Sequence, residues 1–276
     1  MIGRRETIVM TQVNRLYNLC QTCGYIFRYK KIHKLLKRNA ILRNSHNGET
    51  CFIMGNGPSL KNMGDLSVLS DKYVITVNTI MRSSVFDMVN SNCHILMDPF
   101  IFSGNVSKED RDSFSKLDGI DILTPIRYNK LAEQIWPNSR VWCSYNSYIP
   151  LKNSSYIDFT KPVYDFNNVL HWAILWAIYL GFKKIVLIGA DMTGFMELYN
   201  NKYNMPMHVY DYTDKEKENK QKMQNNNEWY LKAYGKTLEY FDILQRIAIH
   251  KKITIVNATP TSFLDMFPMV NFEDTL

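Results

Sequence analysis

The short apolar run Cys51–Met54 stops at Gly55-Asn56-Gly57-Pro58-Ser59-Leu60, and that stop constrains the fold more than any other stretch. It reads as a buried strand that breaks into a glycine-flanked turn and then enters a helix. A glycine on each side of Asn56 lets the backbone approach another group closely or take positive φ at little steric cost. Pro58 has no N–H to lose in a first helical turn, and Ser59 is suited to satisfy free amides there. Strand, glycine turn and helix N-terminus form the arrangement in which backbone amides hold a phosphate. The run lacks the Gly-Lys-Ser/Thr of a P-loop and the third glycine of the dinucleotide fingerprint, and a purely structural turn fits it as well.

The same pattern recurs along the chain. Strands are expected at Thr50–Met54, Tyr73–Val77, Cys93–Met97, Ile120–Pro125, Val141–Ser144, Ile185–Ile188 and Ile253–Val256. Helices are expected over Asn129–Ile135, Asn168–Leu180 and Glu228–His250, the second closed by Gly181, and a helix or turn over Ser59–Leu69. This alternation predicts an open, largely parallel α/β sheet. Its strands end in Asn56, Asn78, Asp98, Asp191 and Asn257. Ligands of such sheets sit beyond the carboxyl ends of the strands, so the set as a whole points to a site. Any one of these residues alone is more often a cap or an Asx turn.

Charge is concentrated at one end. Residues 1–50 carry ten Lys/Arg against Glu6 and Glu49, whereas the rest carries 23 basic and 24 acidic side chains. Apolar residues from Leu16 to Leu42 recur at roughly helical spacing, so residues 1–48 read as a basic amphipathic arm and 49–276 as the α/β domain. Such an arm suits an anionic membrane surface; a solvated helix packed on the body is the plainer alternative. No stretch approaches the ~20 apolar residues of a spanning helix. The five cysteines are odd in number and irregularly spaced, and Cys20 and Cys23 form a lone CxxC. Free thiols and the lack of a leader suggest a reducing cytoplasm, with the protein peripheral on the inner membrane face.

Residues 192–228 are polar and too long for a routine connection, as lids are. They contain Tyr199, Tyr203, Tyr210 and Tyr212, whose hydroxyls suit phosphate oxygens, and His208, which suits a general base near neutrality. A solvent-exposed histidine is the alternative. His94 and His171 read as structural. Asp110-Arg111-Asp112 has the spacing of a metal-binding DxD but no preceding apolar strand, so it reads as a solvated helix start.

Taken together, Gly55-Asn56-Gly57-Pro58-Ser59-Leu60, Asn78, the block Ala173–Asp191 and Ile253–Asn257 with Thr261-Ser262-Phe263-Leu264 resemble the bacterial sialyltransferases of glycosyltransferase family 42. The opening motif is also similar to that of Maf-type flagellin glycosyltransferases and pterin pyrophosphokinase-like proteins. The resemblance implies one Rossmann-like domain with a lid, a GT-A-like variant, and inverting, metal-independent transfer from a CMP-activated nonulosonic acid. It implies donor contacts from Gly55, Asn56, Gly57, Ser59, Asn78, Asn167, Asn168, Asp191 and Tyr203. Asp98 stands where the family has asparagine, Asn167-Asn168 where it has Ser-Gly, and Thr193 where it has one of two phosphate-binding tyrosines. Tyr199 keeps the place of the other tyrosine, and His208 would be the base.

The expected function is therefore glycosyl transfer in surface-glycan synthesis. The donor would be a nucleotide sugar and the acceptor a glycan or lipid-linked glycan, with no cofactor or metal and no nucleic-acid partner; a homo-oligomer is allowed. Two alternatives stand beside it: a Mg²⁺-dependent pyrophosphokinase-like enzyme using Asp98 and Asp191, and a non-catalytic nucleotide-binding protein of a polysaccharide locus.

Overall fold

The computed structural model describes residues 29–102, 108–147, 157–199, 208–210 and 227–276. In chain order the strands are β1 (Thr50–Met54), β2 (Tyr73–Val77), β3 (Ser91–Ile95), β4 (Asp121–Pro125), β5 (Val141–Ser144), β6 (Asn146–Ser147), β7 (Val163–Tyr164), β8 (Lys184–Ile188) and β9 (Thr254–Asn257). The helices are α1 (Tyr29–Lys37), α2 (Lys108–Phe114), α3 (Asn129–Ile135), α4 (Val169–Leu180) and α5 (Asn227–His250). β6 and β7 pair as a small ribbon, and the other seven strands form one sheet in the order β5-β4-β3-β2-β1-β8-β9. Every pairing in that sheet is parallel. This is a Rossmann-like α/β fold.

The chain winds outward from β1 to β5 and then crosses back to place β8 beside β1. The direction of winding therefore reverses between β1 and β8, the switch point where such sheets open a crevice.

The strands are apolar because both faces are covered; in β1, β2, β4 and β8 the last four residues are all buried. On one face lies α4, in which Leu170 to Leu180 are all buried. Asn168 caps it, its Oδ1 accepting from the Leu170 amide at 2.8 Å. His171 sits inside this packing with Nε2 donating to the Thr237 carbonyl at 3.1 Å, and burial pushes its pKa down to about 3.

Of the helix or turn expected over Ser59–Leu69, the structure forms turns: two 3₁₀ turns, Pro58–Asn62 and Leu66–Leu69. Gly64 takes φ +76° between them, and Asp65 restarts the chain by accepting from the Ser67 amide. The basic arm is not separate from the body over its described part. Ile32 and Leu36 of α1 pack on Cys143 of β5. Asn39 is fully buried and donates to the carbonyls of Cys143 and Phe159, both at 2.8 Å. Residues 1–28, with the CxxC, lie outside the described residues. Among the described residues no helix is long and apolar enough to cross a membrane.

Candidate functional site

At the switch point, the loop after β1 is zipped to the turn after β8. The Gly55 amide donates to the Ile188 carbonyl and the Gly57 amide to the Gly189 carbonyl, both at 2.8 Å. Asp191 accepts from the Ser59 amide at 3.1 Å and from the Ser59 hydroxyl at 2.6 Å. Burial lifts the Asp191 carboxyl above its ordinary range, an effect only partly offset by the bonds from Ser59. A third segment braces the turn: Thr259 Oγ1 accepts from the Ala190 amide, Ser262 donates to the Ala190 carbonyl, and the Phe263 amide donates to the Asp191 carbonyl.

The two glycines are explained by this junction rather than by a bound phosphate or by positive φ. Gly57 has φ −66°. A Cβ on Gly55 would lie 2.3 Å from the Gly189 oxygen, and one on Gly57 would lie 1.7 Å from Asp191 Oδ2. The amides of Gly55, Gly57 and Ser59 all have protein acceptors, so they do not form an open phosphate cradle. Asn56 differs from its neighbours. Its side-chain Oδ1 is buried with no hydrogen-bond partner among the described residues, an arrangement that costs about 1–3 kcal/mol unless a further group donates to it.

Residues 208–210, from the expected lid, dock on this loop. The Val209 amide donates to the Asn56 carbonyl at 2.9 Å, and the Val209 side chain is buried. The Tyr210 hydroxyl bonds the Thr79 hydroxyl just past β2, and the Arg82 guanidinium lies 5.5 Å from the centre of the Tyr210 ring. The His208 and Tyr210 rings stack, with centroids 5.0 Å apart and planes 14° apart. His208 is thereby carried to the ends of β1 and β2.

A second region opens over β2–β5 as a groove of about 1360 Å³. Asn78, Asp98, Asn167 and Asn168 all line it. Asn78 takes φ +44°, a left-handed conformation that asparagine tolerates better than most residues. The fully buried His94 fixes it: Nε2 donates to the Asn78 carbonyl at 2.8 Å, while Nδ1 accepts from the Thr76 hydroxyl at 2.7 Å. Burial pushes the His94 pKa down to about 3, which keeps the ring neutral for this pairing. Asn78 Oδ1 in turn accepts from the Met97 amide at 3.2 Å. Asn167 donates to Thr237 Oγ1 at 2.9 Å, tying the groove to α5.

The candidate residues thus fall into two groups. Gly55, Asn56, Gly57, Ser59 and Asp191 meet at the β1/β8 junction with His208 close by, whereas Asn78, Asp98, Asn167 and Asn168 lie in the groove. Thr193 begins the turn beyond, its carbonyl accepting from the Met196 amide. Tyr199 closes the 3₁₀ turn Gly194–Tyr199, and Tyr203 lies outside the described residues. Thr79, Arg82 and Thr259 were not expected. Nothing in their local pattern marks them, because their roles arise from contacts across 69 to 131 positions of chain. Among the described residues no group of three or more His, Cys, Asp or Glu is arranged to hold a metal.

Residues 25–194, more than half of the chain, match the family model described as 6-hydroxymethylpterin diphosphokinase MptE-like. The chain belongs to this MptE-like family. No curated protein matches it in sequence. Among solved structures, the Maf glycosyltransferase of Magnetospirillum magneticum AMB-1 aligns with the MptE-like chain at a TM-score of 0.51 and 15% identity, covering 85% of this chain and 35% of that one. The chain therefore spans little more than a third of that protein's length, and the likeness is one of fold. The sialyltransferase CstII of Campylobacter jejuni aligns at 0.45 and 16% identity, covering 81% and 85% of the two chains. The monofunctional alpha-2,3-sialyltransferase Cst-I of the same organism aligns at 0.46 and 17%, covering 82% and 81%.

Proposed function

We propose that the chain is a glycosyltransferase whose nucleotide-sugar donor lies along the strand ends from Asn56 to Asn78. The observation that carries this reading is the docking of residues 208–210 on the Asn56 carbonyl. It brings the segment that carries His208 onto Asn56, whose buried Oδ1 has no partner among the described residues. His208 takes the proton from an acceptor hydroxyl as that oxygen bonds to the anomeric carbon. The bond from that carbon to the donor phosphate breaks, and its electron pair leaves with the nucleotide. Displacement from the opposite face inverts the centre, and hydrogen-bond donors around the phosphate take up the growing charge without a metal. Tyr199 and Tyr203 are proposed donors, as are the side-chain amides of Asn56 and Asn78. The donor is a CMP-linked nonulosonic acid, in line with the motif resemblance. Residues 1–28, the part of the basic arm outside the described residues, are the proposed membrane contact.

The family match favours a second reading, a Mg²⁺-dependent diphosphokinase. It would need Asp98 and Asp191 directed at metal and triphosphate, yet both Asp191 oxygens are engaged by Ser59. Thermal shifts with CMP, CDP, UDP, GDP and ATP, with and without Mg²⁺, separate the two. Stabilisation by CMP without Mg²⁺ supports glycosyl transfer. Stabilisation by ATP that requires Mg²⁺ overturns it in favour of the diphosphokinase.

A further inference from the structure

We infer that the outer end of the groove is the acceptor subsite and that the acceptor it takes is anionic, bearing phosphate or carboxylate. This inference rests on the glycosyltransferase reading. At about 1360 Å³ the groove exceeds the ~300–1000 Å³ typical of a site for one small molecule, which leaves room for a second substrate beside the donor. Its two ends differ in chemistry. The inner end contributes side-chain amides, Asn78 after β2 and Asn168 at the N-cap of α4, whereas the rim is set with Lys31 and Lys34 of α1, Arg38 in the 3₁₀ turn that follows it, Arg127 just before α3 and Lys130 in its first turn.

The α1 cations are placed by helical spacing. Positions 31 and 34 share one face of α1, about a quarter-turn or more from Ile32 and Leu36, which pack on β5, and Arg38 opens the 3₁₀ turn that follows. That packing, together with the buried Asn39, holds the charges at the groove. The groove's carboxylates neutralise the rim only in part. Glu133 pairs with Arg38 at 3.1 Å, Asp165 accepts from Asn146 Nδ2 at 2.8 Å, and Asp98 lies just past the end of β3. Lys31, Lys34 and Lys130 have no ion-pair partner among the described residues. A neutral glycan leaves these ammonium groups unused, whereas an anionic one meets them at its entry.

Calorimetric titration of the full chain with glucose 1-phosphate, glucuronate and glucose, alongside CMP, tests the inference. Wild type is expected to bind at least one of the two anionic sugars and not glucose, and which one it binds tells phosphate from carboxylate. The Lys34→Ala/Lys130→Ala variant, altered at two exposed positions, is expected to lose about tenfold or more in affinity for that sugar while its CMP affinity changes less than about twofold. Lys31→Ala/Arg127→Ala should behave alike. Equal binding of glucose, no binding of either anion, or an unchanged variant overturns the proposal. So does an equal loss for CMP, which would assign the cations to the donor. If CMP fails to bind wild type while the anion response is present and lost in the variants, the glycosyltransferase reading fails and the anion site stands.

Discussion

The β1/β8 junction and the groove over β2–β5 lie along the same row of strand ends but differ in how their polar groups are used. At the junction, the three amides of Gly55, Gly57 and Ser59 are satisfied by the turn after β8, and little is left for a ligand beyond Asn56. In the groove, the polar groups are partly held by the protein, but the cavity stays wide, and Lys31, Lys34 and Lys130 on its rim have no carboxylate partner among the described residues. The difference separates a fastened scaffold from open, ligand-sized space. The most recognisable motif in the chain mainly fastens the sheet where its winding reverses. Ligand-sized space begins one strand away.

The sharpest way to break this comparison is Gly57→Ala. If the glycine serves loop-on-loop packing, a methyl placed 1.7 Å from Asp191 Oδ2 must force the junction apart. A loss of about 3 kcal/mol or more in urea unfolding is expected. A stable variant that has lost only nucleotide binding would instead make the loop a ligand cradle.

His208→Ala probes the side of the junction that faces the lid. Turnover should fall by about 10²–10⁴-fold while CMP-induced stabilisation is retained. Weakened CMP binding with normal turnover would move His208 from base to donor contact.

The strands and the long helices were legible in the sequence because burial dictates them directly. Apolar β-branched runs gave β1, β2 and β5 with their observed limits, and an uninterrupted apolar run could only be a helix buried all round, as α4 is. The loops at the strand ends were less legible. Gly55 and Gly57 mark close approach, but sequence does not say whether a ligand or Gly189 and Asp191 make that approach. Over Ser59–Leu69 the sequence left helix or turn open, and turns form because Gly64 and Asp65 offer a local restart that outweighs propensity over so short a stretch. The arm was open to two readings at α1 for a related reason. Its apolar stripe fits a membrane and β5 equally well, and only the partner across about 110 residues decides.

Acidification sharpens the comparison on the groove side. The unfolded chain protonates His94 near pH 6.5, whereas the folded ring, pushed down to about 3, stays neutral. Stability is therefore full above about pH 6.5 and falls as pH drops toward 3, by about 1.4 kcal/mol per unit for this group. His171 adds a parallel loss between α4 and α5. Urea titrations at pH 7, 6 and 5 should show the slope, and His94→Gln should lower it by one proton. An unchanged slope would mean that the His94 link to Asn78 opens on protonation at little cost.

The smallest expected effect is at the latch between the regions. Thr79→Val removes the partner of the Tyr210 hydroxyl while keeping the side-chain shape, at a cost of about 1 kcal/mol to the docked state. Hydrogen exchange at the Val209 amide, which is bonded to the Asn56 carbonyl, should quicken by roughly fivefold, because local opening sets its rate. The amides of Gly55 and Gly57 should not respond, since their acceptors lie on β8 and its turn, not on the lid. If they quicken in step with Val209, then residues 208–210 and the junction open as one unit, and no line can be drawn between the loop and its cover.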